Sequence, residues 1–144
     1  MIKKLLFNMV PLLCSLPLMA HDLVGVLGPD GSSTDYFQVD CSNDQSGSGD
    51  SDRLEASIIG RTSKSPAISL QARGNDILSN TSDNIGGDKN ASRTIVVADR
   101  VTNGRYFLTV NKVSSGITKY EIKYHCMGPR GHTGTQLSSV IQNQ

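Results

Sequence analysis

The chain has 144 residues, with 14 Lys or Arg against 13 Asp or Glu, 37% hydrophobic residues, 14 Gly and no Trp. A polymer of this length makes one domain. Its balanced charge argues against a basic nucleic-acid surface, and its small core leaves little room for a multi-part catalytic cleft.

Residues 1–20 (MIKKLLFNMVPLLCSLPLMA) combine two early lysines, an apolar middle and a small last residue. This pattern predicts a secretory signal cleaved after Ala20, so that the mature domain comprises residues 21–144 and begins with His21. The apolar run 5–18 is interrupted by Asn8 and Pro11, and it is shorter than the roughly 20 residues of a membrane-spanning helix. A lipid anchor on Cys14 is disfavoured because Leu12 and Leu13 stand where a small residue is wanted. The expected location is therefore the periplasm or the extracellular space. Without Lys3 and Lys4, 12 basic residues face 13 acidic ones, and the mature chain is close to neutral.

Apolar residues of the mature chain recur at every second position, with no sustained helical spacing, which predicts an all-β domain. Strands are expected at 23–27, 34–41, 53–59, 67–72, 93–98, 104–112 and 119–126, with the tail 137–144 either a short last strand or a frayed end. The pair 104–112 (GRYFLTVNK) and 119–126 (KYEIKYHC), joined by Ser114-Ser115-Gly116, reads as a hairpin. In it Tyr106, Leu108 and Val110 point one way, Tyr120, Ile122, Tyr124 and Cys126 form the matching inward row, and Glu121, Lys123 and His125 face outward. In 34–41, Phe37, Val39 and Cys41 share one face. The polar, Gly-containing segments 42–51 and 75–90 are expected as surface loops. Seven or eight short strands predict a single antiparallel β-sandwich of two layers.

Once Cys14 leaves with the signal, Cys41 and Cys126 remain. An even pair in an oxidising compartment is most economically read as one disulfide, and both cysteines fall on apolar faces of their strands. Closing a loop of that length gains about 4 to 5 kcal/mol in the chain-entropy model. The two cysteines lie 85 positions apart with no CxxC spacing, so a thiolate metal site is not supported.

The order TDYFQV, RLEASI, AISLQA and NGRYFLTVNKVSSGITKYEIKYHC resembles the bacterial pre-peptidase C-terminal domains, small jelly-roll sandwiches appended to secreted enzymes. The likeness runs from Thr34 to Cys126. It implies a sandwich with a binding or stabilising role and no catalytic residues of its own.

The three histidines, His21, His125 and His132, all belong to the mature chain. As the first mature residue, His21 would offer its imidazole and a free α-amino group to one metal ion, a nitrogen pair that suits copper. This HD start resembles the histidine-first start of periplasmic copper-handling proteins and of lytic polysaccharide monooxygenases. The few aromatic residues, mostly claimed by the core pattern, argue against the monooxygenase version. A loop after the last long strand can bring His125, His132 or both to His21.

Other features carry less. Asp44, Asp50 and Asp52 lack the ligand spacing of a calcium loop, and the sequons at Asn80 and Asn90 are common accidents in Ser- and Thr-rich loops. No GxSxG, HExxH or Ser-His-Asp set stands out. The expectation is an exported, non-catalytic binding protein holding copper through His21, with His125 and His132. The alternative is a metal-free accessory module that recognises a glycan or a protein.

Overall fold

The computed structural model describes residues 21–43, 47–99 and 101–144; the expected signal, 1–20, lies outside them. Ten strands follow in order: β1 (His21–Leu27), β2 (Thr34–Ser42), β3 (Arg53–Gly60), β4 (Ile68–Arg73), β5 (Leu78–Asp83), β6 (Ile95–Val97), β7 (Arg105–Lys112), β8 (Thr118–Gly128), β9 (Gly131–His132) and β10 (Gly134–Gln142). No helix among the described residues is long and apolar enough to cross a membrane.

The strands form two antiparallel sheets, ordered β1-β8-β3-β6 and β10-β2-β7-β4-β5, with β9 added to β8. Strands one and eight, two and seven, three and six, and four and five are thus partners, as in one long antiparallel ribbon rolled over itself. That is a jelly-roll sandwich. Seven strands of the roll lie where alternation predicts them and β10 takes up the expected tail strand, while β5 and β9 are additional.

Alternation explains the layers. Phe37, Val39 and Cys41 of β2, Leu70 of β4 and Tyr106, Leu108 and Val110 of β7 face Leu54 and Ile58 of β3 and Tyr120, Ile122, Tyr124 and Cys126 of β8, all of them buried. Each side chain removed from water in this way contributes about 1.5–3 kcal/mol. Cys41 and Cys126 come from opposite sheets and are bonded, with their Cα atoms 5.5 Å apart. The bond ties the two layers together.

Two sequence-based expectations are corrected. Residues 104–112 and 119–126 are strands with the expected inward rows, but they are not hairpin partners. β7 pairs with β2 and β4, whereas β8 pairs with β1 and β3. Residues 113–117 arch from one sheet to the other, so the two inward rows meet across the core instead of lying side by side. The second correction concerns 75–90, expected as a surface loop. It contains β5, which pairs with β4 from Arg73↔Leu78 to Ile68↔Asp83. As an edge strand with polar side chains (LSNTSD) and one buried residue, Asp83, it lacks the alternating apolar signal.

The interior also holds polar pins. Asp35 is fully buried and accepts hydrogen bonds from the Tyr120 hydroxyl and from the backbone N–H of Gln144 at 2.7 Å. The buried Lys112 ammonium donates to the carbonyls of Gly28 and Gly116, which fastens the arch to the β1–β2 turn. Gly25 stands opposite Tyr120 in the β1–β8 register, and a Cβ on Gly25 would overlap the tyrosine ring. Overpacking of a filled core typically costs 1–3 kcal/mol. Gly25→Ala is therefore expected to destabilise the domain by about 2 kcal/mol in urea unfolding, and an unchanged midpoint would show that Tyr120 can move freely.

Candidate metal centre

Strand β1 is the edge of its sheet and runs antiparallel to β8, with His21 opposite Tyr124. Its N-terminal end therefore points along β8 toward His125. Beyond β8 the chain reverses through Pro129, Arg130 and Gly131. Gly131 has φ of 120°, a conformation that glycine accepts without a Cβ clash. The reversal brings β9 back onto β8, with His132 opposite Met127, and the Thr133 amide bonds the Cys126 carbonyl at 2.9 Å. The ends of β1 and β9 thus approach each other along one side of β8. The His125 station lies between them, and the backbone nitrogen of His21 opens onto it.

The register sets His125 and His132 on the outer face of β8 and His21 beside Tyr124 of the inward row, at the open edge of the sheet. His125 is half-buried on the outer face, as its period-two position predicts. Its Nδ1 lies 2.5 Å from Nε2 of His132, and the two rings meet edge to face with centroids 4.5 Å apart. In the absence of an ion this contact is an N–H···N hydrogen bond in which one ring donates and the other accepts. The His21 ring stacks toward His132 at 6.1 Å and also lies 6.0 Å from the ring of Tyr124. All three histidines singled out from the sequence are brought together, with His132 in the middle.

Among the described residues, no three His, Cys, Asp or Glu side chains converge as a ready-made metal cage. The close pair is His125 and His132, and the His21 ring stands one ring-width away. Metal–nitrogen bonds of roughly 2.0–2.1 Å put two nitrogen ligands of one ion about 3 Å apart. A small rotation of either ring in the 2.5 Å pair reaches that spacing. The third and fourth donors available nearby are the imidazole and, in a chain starting at His21, the α-amine.

Electrostatics favours the neutral, ligand-competent imidazole. Burial lowers the pKa of His21 below the ordinary value, the neighbouring His132 lowers it further, and Asp22 partly offsets this. Burial likewise lowers His125, reinforced by His132 and His21, with Asp22 and Glu55 opposing. The unfolded chain, with imidazoles near pKa 6.5, then takes up protons before the folded one does. Stability is complete above about pH 6.5 and is lost as the pH falls through the lower folded values. The metal-free protein is expected to show a lower urea midpoint at pH 5.5 than at pH 7.5, with a smaller difference in His125→Gln. Equal midpoints in the native sequence would contradict the lowered values.

Met127 and Tyr124 were not anticipated as neighbours of this cluster. Met127 shares the outer face of β8 with His125 by period two and is opposite His132. Its position was readable from the HCM tripeptide. His132 opposite Met127 was not, because β9 has only two residues. Of the acidic loop considered for calcium, Asp50 accepts from the amides of Asn43 at 2.9 Å and Asn103 at 2.8 Å, and Asp52 pairs with Arg53. Asp44 lies outside the described residues.

The sequence matches no family model and no curated protein. Among solved structures the chain is similar to the Yersinia pseudotuberculosis-derived mitogen, at 11% identity with a TM-score of 0.49, over 85% of this chain and 98% of that chain.

Proposed function

We propose that the protein is an exported, non-catalytic binding protein that holds one copper ion with His21, His125 and His132. The observation that carries this reading is the 2.5 Å approach of the His125 and His132 ring nitrogens beside the N-terminal end of β1. Three imidazoles without a nearby Cys thiolate form a nitrogen donor set, which favours copper over the oxygen-seeking calcium and magnesium. Cleavage after Ala20 would add the α-amine of His21 on the side of the strand that opens onto His125. The Cys41–Cys126 bond supports residence in an oxidising compartment.

In this reading His125 and His132 provide the fixed part of the site, because both sit on the hydrogen-bonded frame of β8 and β9. His21 closes the site from the edge strand. Copper supplies a strong bond to neutral nitrogen, and the chain's residues bind and orient it. Native mass spectrometry of protein recovered after export tests this directly. The expected mass begins at His21, is two hydrogens light for the disulfide, and retains one copper(II) against a competing chelator. A mass beginning elsewhere, or copper removed at stoichiometric chelator, overturns the proposal.

A further inference from the structure

The second sheet carries a different kind of surface on its outer face. Residues there alternate with the core: Tyr36 lies between the buried Asp35 and Phe37, Gln71 between Leu70 and Ala72, and Thr109 between Leu108 and Val110. The register sets these outward residues side by side. Gln142 of β10 is opposite Tyr36, Tyr36 opposite Thr109, and Thr109 opposite Gln71. In the next row Phe107 is opposite Arg73, and Arg73 opposite Leu78. The two rows line an open cleft of about 410 Å³, within the range of small-ligand sites.

The chemistry of this cleft is unusually uniform. Tyr36 and Phe107 place two rings 5.6 Å apart and within 26° of parallel, an apolar strip in the middle of a polar face. Around it stand amides and hydroxyls, with Arg73 the single formal charge among the lining residues. Among the described residues, the side chains of Gln71, Thr109 and Arg73 have no hydrogen-bond or ion-pair partner. These groups are free to exchange water for a ligand's hydroxyls, and amides can donate and accept at once. Asp76 lines the neighbouring hollow with Arg73 but makes no ion pair with it, and a guanidinium without a bound carboxylate is a fork for a planar anion.

We propose that this cleft binds a carbohydrate residue carrying a carboxylate. The C–H face of the pyranose rests against Tyr36 and Phe107, ring hydroxyls exchange hydrogen bonds with Gln71 and Thr109 and donate to the side-chain carbonyl of Gln142, whose Nε2 donates to the Thr34 carbonyl at 3.0 Å, and the carboxylate pairs with Arg73. The site is independent of the histidine cluster, which lies on the other sheet.

Immobilised oligogalacturonate and sialyllactose, with cellotetraose and lactose as neutral members, provide the test. The protein is expected to retain at least one carboxylate-bearing sugar over the neutral ones. Tyr36→Ala and Phe107→Ala are expected to weaken that binding at least tenfold, and Arg73→Gln to abolish the preference for the acidic sugar. Arg73 is exposed at the end of β4, so Arg73→Gln keeps the test decisive where an aromatic variant fails to fold. Retention of no acidic sugar, equal retention of neutral ones, or a preference unchanged in Arg73→Gln overturns the proposal.

Discussion

Adding a single glycine before His21 is expected to weaken copper(II) binding by at least 100-fold while leaving the fold intact. The extension keeps all three imidazoles but converts the α-amine into a peptide nitrogen and puts a residue at the His125 station of β8, where the ends of β1 and β9 approach. Even changes in groups that only orient metal ligands cost 10–100-fold, so loss of a ligand should exceed that. His132→Ala is expected to act as strongly, because His132 is the ring that contacts both of the others. Competition titration against a chelator of known affinity reads both effects. Unchanged affinity in the extended protein rules out the amine as a ligand, and unchanged affinity in His132→Ala rules out the cluster.

The second large effect is on stability. Asp35→Ala is expected to lower stability by about 2–3 kcal/mol, the scale on which leaving buried donors without their acceptor acts. The carboxylate is wholly buried, and it is the acceptor for the Tyr120 hydroxyl and the Gln144 amide. Its removal leaves that hydroxyl unpaired in the core and frees the strand end that follows β10. Tyr120→Phe should cost about as much for the opposite reason, since it leaves a buried carboxylate with one donor fewer. Burial, and then the neighbouring carboxylate, push the Tyr120 pKa far up, so the hydroxyl remains a donor throughout the working pH range. The double variant should be less destabilised than the sum of the two, as a shared hydrogen bond requires. Urea unfolding of the four proteins checks this, and strict additivity would show that the two groups stabilise the fold separately.

Much of the roll is written in alternation. Phe37-Val39-Cys41 and Tyr120-Ile122-Tyr124-Cys126 mark inward faces without knowledge of their neighbours, and two cysteines on two such faces already imply the bond between layers. Partnership is less visible. A Ser-Ser-Gly connection serves a hairpin and an arch equally well, and the choice at 113–117 depends on β2 and β3 being available to cover β7 and β8. β5 carries no alternating apolar signal because an edge strand need not bury a row of apolar residues. The histidine cluster was legible in its members but not in its geometry. His125 follows from period two, whereas His132 needed the tight reversal at Gly131. The cleft on the other sheet was invisible because Tyr36, Gln71 and Arg73 belong to distant segments and look individually like ordinary outward residues.

The central position of β7 and β8 also governs when the chain can fold. β8 is the partner of both β1 and β3, and β7 of both β2 and β4, yet both lie in the last third of the sequence. An emerging chain that has reached only residue 100 has four strands waiting for neighbours that do not yet exist. Folding dominated by such distant pairings is slow, because loop closure must be completed before the contacts that reward it. The domain should therefore assemble in one late, cooperative event after synthesis of β8, with Cys41 held as a free thiol until Cys126 arrives.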